Sequence, residues 1–218
     1  MRQTSILALA LTALLLTGIA QSAPDSREVV KASEILAAIE RGDPIGYDSV
    51  IVEDDLDLSS CELKSVKLKN VVFQGPVNFG GAVFTEEANF KNAEFEEAAM
   101  FFDANFRQVA DFNGAQFNGA VSFKNANFRQ DADFRGAQFD DDAEFQGAKF
   151  GGLVTFSDDR NVEAAQFNKT ANFADVKFGD VAKFNLTQFG GYANFENARF
   201  NKTANFGTDK PDISTLFG

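Results

Sequence analysis

From residue 73 onward one apolar position recurs with a fixed rhythm. Phenylalanine stands at 73, 79, 84, 90, 95, 101, 106, 112, 117, 123, 128, 134, 139, 145, 150 and 156, then at 167, 173, 178, 184, 189, 195, 200 and 206. The steps alternate between six and five residues, a period of eleven. Right-handed coiled coils share that period, but a five-residue step turns a helical side chain by about 140°, scattering successive rings over opposite faces. The Gly and Asn residues between the rings are also poor helix formers.

Two residues before nearly every ring stands a small or β-branched residue: Ala88 before Phe90, Ala93 before Phe95, Ala110 before Phe112, Val121 before Phe123, Ala143 before Phe145 and Ala204 before Phe206. A separation of two places both on one face of an extended segment. The residue between them points outward and is polar in most units, as at Asn89, Glu94, Asn105, Asp111, Gln116 and Asn127. Each unit is therefore a very short strand followed by a corner.

Units such as "ANF", "ADF" and "AQF" resemble those of the pentapeptide-repeat family, which read small residue, Asn or Asp, Leu or Phe, then two corner residues. The resemblance covers about residues 50–206. It implies an all-β solenoid, a right-handed quadrilateral β-helix with four short sides per coil. The extra residue at every second corner predicts coils of 22 residues rather than 20, whereas Leu58, Leu63, Leu68 and Phe73 keep plain five-residue steps. Only the interval from Phe156 to Phe167 breaks the alternation. Excising Asp158, Asp159, Arg160, Asn161, Val162 and Glu163 restores a five-residue unit, so these six form a predicted loop excursion with undisturbed core on either side. With Val52, Leu58, Leu63 and Leu68 the rings make about seven coils, a rod roughly 30 to 35 Å long at ordinary strand spacing.

At the N-terminal side, residues 26–41 carry Val29, Val30, Ile35, Leu36 and Ile39 on a helical stripe, with Ser26 as N-cap and Gly42 and Pro44 as stop signals. This predicts a capping α-helix over the open end of the column. Strand-like alternation follows at Val50, Val52, Leu56 and Leu58. Before the helix, "MRQTSILALALTALLLTGIAQSA" has a basic start at Arg2, an apolar run from Ile6 to Leu16, and small residues suited to cleavage after Ala20 or Ser22. The run is shorter than a membrane span, so the expectation is a secretory signal with no stable span left after cleavage. The predicted organisation is thus signal 1–22, capping helix and linker 23–49, repeat column 50–206 with its excursion at 158–163, and a C-terminal cap or tail 207–218. That tail lacks a complete unit; Ile213, Leu216 and Phe217 fold over the last coil or pair with a second copy through the C-terminal end.

Composition narrows the chemistry. There are 26 Phe against 2 Tyr and no Trp, one ring chosen for one repeated environment, and burying 24 of them leaves little interior room for a substrate. A net charge of −12 argues against nucleic acid as a partner. The chain has no His and a single Cys, which removes the commonest general base, the usual zinc ligands and any intrachain disulfide. Cys61 falls in the slot that Ala or Val fills elsewhere and reads as a small buried residue. No Ser-His-Asp or Cys-His set and no phosphate-binding glycine loop is present, so no enzyme activity, cofactor or metal is expected. The acidic corners Glu86–Glu87, Glu96–Glu97 and Asp140–Asp142 lack the ligand spacing of a calcium loop. Sequons occur at Asn168, Asn185 and Asn201, where repeat-derived corners explain them equally well.

Aligning units four apart gives outward columns: Gln116, Gln138, Gln166 and Gln188; Lys149, Lys177 and Arg199; Asn89, Asp111 and Asp133. The glutamine column is expected to hydrogen bond between coils. The functional expectation is an exported, noncatalytic scaffold or interaction module that meets a protein partner through flat walls and the Asp158–Glu163 loop, in the periplasm, thylakoid lumen or extracellular space. The resemblance implies an alternative, since some family members look like duplex DNA in shape and charge and bind type II topoisomerases. A glycan-active enzyme would need clustered carboxylates beside an aromatic platform, and only Phe102 is an outward aromatic on the regular faces.

Overall fold

The computed structural model describes residues 26–157 and 164–207, and they form a quadrilateral solenoid of parallel strands. Most strands are two residues long, and they stack into two sheets of eight and two of seven. One circuit shows the construction. Ala88–Asn89 leads to Glu94–Phe95, then Ala99–Met100, then Asn105–Phe106, and Ala110–Asp111 lands back on Ala88–Asn89 in register. The walls are named here by their outward residues, in chain order: the aspartate wall (Asn89, Asp111, Asp133), the glutamine wall, the serine–asparagine wall (Ser122, Glu144, Asn172, Asn194) and the lysine wall. The glutamine and lysine walls are opposite each other, as are the other two.

The 22-residue register predicted by the extra corner residue holds from Val66↔Ala88 onward, and the plain steps before it give 21, as in Leu56↔Val77. Inside, the rings form four ladders. Phe106 and Phe128 stack at 4.6 Å with 2° between planes, Phe112 and Phe134 at 5.1 Å and 1°, while rings from different walls meet edge to face, as for Phe112 and Phe123 at 5.3 Å and 82°. Both are favoured geometries for aromatic pairs. The small residue of most units is buried beside its ring, so the axis is filled, and in the last coil Ala193, Ala198 and Ala204, with Phe200 and Phe206, are partly exposed.

Across the excursion the register jumps to 28 residues without disturbing the core. Phe139 stacks on Phe167 at 4.4 Å, and Phe156 meets Phe167 at 6.0 Å and 49°, much as Phe134 meets Phe139 at 6.5 Å and 41°. The turn there is closed by the Ala165 N–H donating to the Phe156 carbonyl at 2.6 Å. Asp158–Glu163 themselves lie outside the described residues, as do the signal segment and the tail beyond 207.

The N-terminal end departs from the sequence expectation. Glu28–Val30 is a strand, β1, and the helix α1 spans Ala32–Glu40 with Lys31, not Ser26, at its N-cap. β1 pairs with Val50–Val52 in the glutamine wall, where two adjacent β-branched residues suit the pleat and cover an otherwise open strand edge. Val29 and Leu36, assigned to the apolar stripe, are 43% and 37% exposed, whereas Ala32, Ile35 and Ala38 are the buried helical face. The strand also starts the column earlier, giving about eight turns rather than seven. α1 then occupies the first-turn place of the two seven-stranded walls, and Ile35, fully buried, joins Leu56, Leu58 and Leu63 in the core. At its end Gly42 (φ 75°) lets its own N–H reach the Ile39 carbonyl at 2.8 Å and Asp43 N–H reach Ala38 at 2.9 Å, a Schellman stop.

Candidate interaction walls

The four outer walls differ because their corners differ. After the aspartate and serine–asparagine walls the chain turns in five residues. Each such corner is a β-turn with a left-handed third residue: Ala93 N–H donates to the Phe90 carbonyl at 3.0 Å around Asn92 (φ 53°), and Ala115 to Phe112 at 3.0 Å around Gly114 (φ 68°). Glycine and asparagine tolerate that conformation, which fits type II turns. At Gly114 a Cβ would also collide with the Asn92 side chain below.

On these two walls an outward Asn or Asp side chain folds back into its own turn. The Oδ1 atoms of Asn89, Asp111, Asp133, Asn172 and Asn194 accept from the backbone N–H two residues on, at 3.1, 2.9, 3.0, 3.1 and 2.9 Å. This Asx geometry explains why Asn or Asp fills the middle of the unit there. Asp133 also grips Arg135, at 2.6 Å for its shortest contact. Burial, with help from the Asp133 charge, holds the Asp111 carboxyl above the ordinary carboxylate range.

The glutamine and lysine walls precede six-residue corners, and their outward side chains have no such turn to close. Gln116, Gln138, Gln166 and Gln188 are in register as predicted, yet among the described residues no side-chain hydrogen bond links them. The expected amide ladder forms elsewhere: Asn92 Nδ2 donates to Asn70 Oδ1 at 3.1 Å, and Asn70 Nδ2 to Asp48 Oδ1 at 2.7 Å. A short left-handed corner residue holds its amide directly above the one below, whereas a glutamine stem does not. Lys149, Lys177 and Arg199 are stacked and exposed on the opposite wall.

Other singled-out residues resolve into coil-to-coil clamps. Asp140, Asp141 and Asp142 receive Asn168 Nδ2 at 2.7 Å, Lys169 Nζ at 2.9 Å and Thr170 N–H at 3.1 Å, so the acidic corner binds the "NKT" corner above it. The second "NKT" repeats the contact through Lys202 and Asp180 at 2.8 Å, and the lysine partners hold Asp141 and Asp180 below the ordinary carboxylate range. Asn185 accepts from the fully buried Ser157 hydroxyl at 2.9 Å. Phe102, 39% exposed, lies over Gly80 of the preceding coil, while the more exposed Tyr192, at 60%, was missed because it sits at a corner outside the unit motif. Cys61 is half-buried, and burial, then Asp57, pushes its thiol up, the opposite of an activated nucleophile.

Among the described residues no group of three His, Cys, Asp or Glu side chains is placed to hold a metal ion, and no helix is long and apolar enough to cross a membrane. No curated protein and no solved structure matches the chain. A family model of pentapeptide repeats, nine copies long, matches residues 58–105, 68–116, 101–149 and 163–208, more than half of the sequence. Four parallel walls, a buried Leu or Phe in most units and Asx turns at the Asn and Asp of two walls agree with that match, and the chain belongs to the pentapeptide-repeat family.

Proposed function

We propose that the protein is an exported, noncatalytic scaffold that holds a protein partner against its glutamine wall and the neighbouring Asp158–Glu163 excursion. The observation that carries this reading is the contrast between walls. The interior is packed with rings and two walls are committed to their own turns, so freely projecting side chains are concentrated on the other two. The excursion supports the same surface, because its described flanks, Ser157 and Ala164, fall between the aspartate wall's Val154–Thr155 and the glutamine wall's Gln166–Phe167. The apolar run from Ile6 to Leu16 supports export.

The duplex-mimic alternative draws on the −12 charge. Lys149, Lys177 and Arg199 stacked on one wall interrupt the continuous negative surface it needs, and export separates the protein from such a target. The test is a photo-crosslinking residue at Gln138 or, as control, at Asn194, expressed in the native cell with fractionation. A discrete adduct at Gln138 that weakens when 158–163 are deleted supports the reading. Equal adducts at both sites, or residence in the cytosol, overturn it.

A further inference from the structure

The lysine wall carries a feature that the column's stability does not explain. Lys149, Lys177 and Arg199 pair in register on three successive coils, all exposed and without an ion-pair partner among the described residues. Like charges stacked directly across strands oppose folding. The row extends further: Arg107 and Arg129, also exposed, follow this wall's strands in the two preceding coils, and Arg129 leans back over it, its Nε donating to Asn105 Oδ1 at 3.2 Å. Five consecutive coils therefore each place at least one cation along this wall of a chain whose net charge is −12. Outward strand positions in those coils are Asn105, Asn127, Lys149, Lys177 and Arg199, with no carboxylate.

We propose that this wall is a binding site for a linear carboxylated polysaccharide, a polyuronate chain lying along the column axis. Three observations select that ligand. The rings beneath the wall stack at 4.6, 4.8, 5.4 and 4.6 Å, so the coils repeat at nearly one pyranose ring each, and a two-fold uronate chain in that register turns every second carboxylate toward the cations. An extended acidic peptide repeats its same-face side chains at about 6.8 Å, and duplex nucleic acid its phosphates at about 3.4 Å per strand, and neither keeps register with such a row. Second, an open groove beside Lys149, Lys177 and Arg199 is also lined by Asp175 and Asn197, which offer hydrogen-bond partners to sugar hydroxyls; a phosphate polymer has few to give. Third, on the strands of the wall the row is one cation wide, and its corners are mixed in charge, with Asp103, Lys124 and Asp175 on one side and Asp131 and the Asp180–Lys202 pair on the other. A narrow chain lies between them, whereas an anionic membrane surface would be pressed onto both.

The test is calorimetric titration of the full mature chain with a short oligogalacturonate at low salt, beside its methyl-esterified form, inorganic polyphosphate and phosphatidylserine vesicles. The free acid is expected to bind and the ester not. The variant K149Q/K177Q/R199Q is expected to bind about tenfold more weakly or worse, while K67Q/K91Q/K183Q, with the same charge change on another side, stays within about twofold. K149R/K177R keeps the charges and is expected to bind, which separates a lost site from a damaged fold. Failure of the acid to bind, equal loss in both glutamine variants, or tighter binding of polyphosphate or vesicles would overturn the proposal.

Discussion

Asn172 and Gln138 occupy equivalent places in the repeat, each between a small buried residue and a phenylalanine, but they behave differently. Asn172 turns back to accept from Ala174 N–H at 3.1 Å; Gln138 projects and makes no side-chain bond among the described residues. At the five-residue corner after Phe173 the Ala174 N–H has no backbone acceptor and takes the side chain, whereas at the six-residue corner after Phe139 the matching Asp140 N–H already donates to the Phe117 carbonyl of the coil below at 2.9 Å. Corner length thus sorts the walls into two that serve the fold and two that are available to partners. The cores behind them are alike.

The largest expected effect tests that shared core. Phe123→Ala and Phe128→Ala, on one wall of each kind, should each cost about 3–5 kcal/mol by urea denaturation, since both remove a fully buried ring flanked by stacked neighbours. A much milder loss at Phe128 would mean that the free walls also have a looser interior.

Next in size is the contrast itself. Asn172→Ala leaves the Ala174 N–H without its acceptor and should cost about 1–2 kcal/mol, while Gln138→Ala should stay within about 0.5 kcal/mol. Equal losses in thermal melts would dissolve the distinction between the walls.

A smaller effect runs the other way. Leu186 holds a left-handed conformation (φ 65°) at a five-residue corner, and Thr187 beside it buries a hydroxyl with no partner where Ala stands in neighbouring coils. Leu186→Gly should raise stability by about 1 kcal/mol by relieving the backbone. No gain in the melting temperature would show that the corner is not strained.

The smallest is read as a pH dependence on the aspartate wall. Because the folded state raises the Asp111 pKa, ionised Asp111 opposes folding, and that penalty disappears as pH falls through the raised value to the ordinary one. Asp111→Asn keeps the Asx acceptor and should be more stable than the parent at neutral pH, with the advantage fading in acid. An advantage that persists unchanged at low pH would place the cause elsewhere.

Much of this architecture is legible along the chain because each unit repeats its own instruction. A ring every five or six residues places every ring inside and exposes the six-residue excursion by spacing alone, while the four walls and the 22-residue coil follow once the resemblance to the pentapeptide-repeat family is added. Columns of like residues are legible for the same reason. Their roles are not, since whether Gln138 is bonded or free depends on a corner's backbone and on a neighbour 22 residues away. The same limit explains the N-terminal misreading. "EVVKASEILAAIE" satisfies a helical stripe throughout, and only the unpaired edge of Val50–Val52 pulls its first residues into a strand.

What the sequence by itself determined is the column and its filled axis, because ring burial is local to each unit and repeated 24 times. What only the tertiary structure decided is which outer side chains are spent on turns and clamps and which stand free, because the clamps join residues one coil apart and the turns close only where stacking leaves a backbone N–H unclaimed by the coil below.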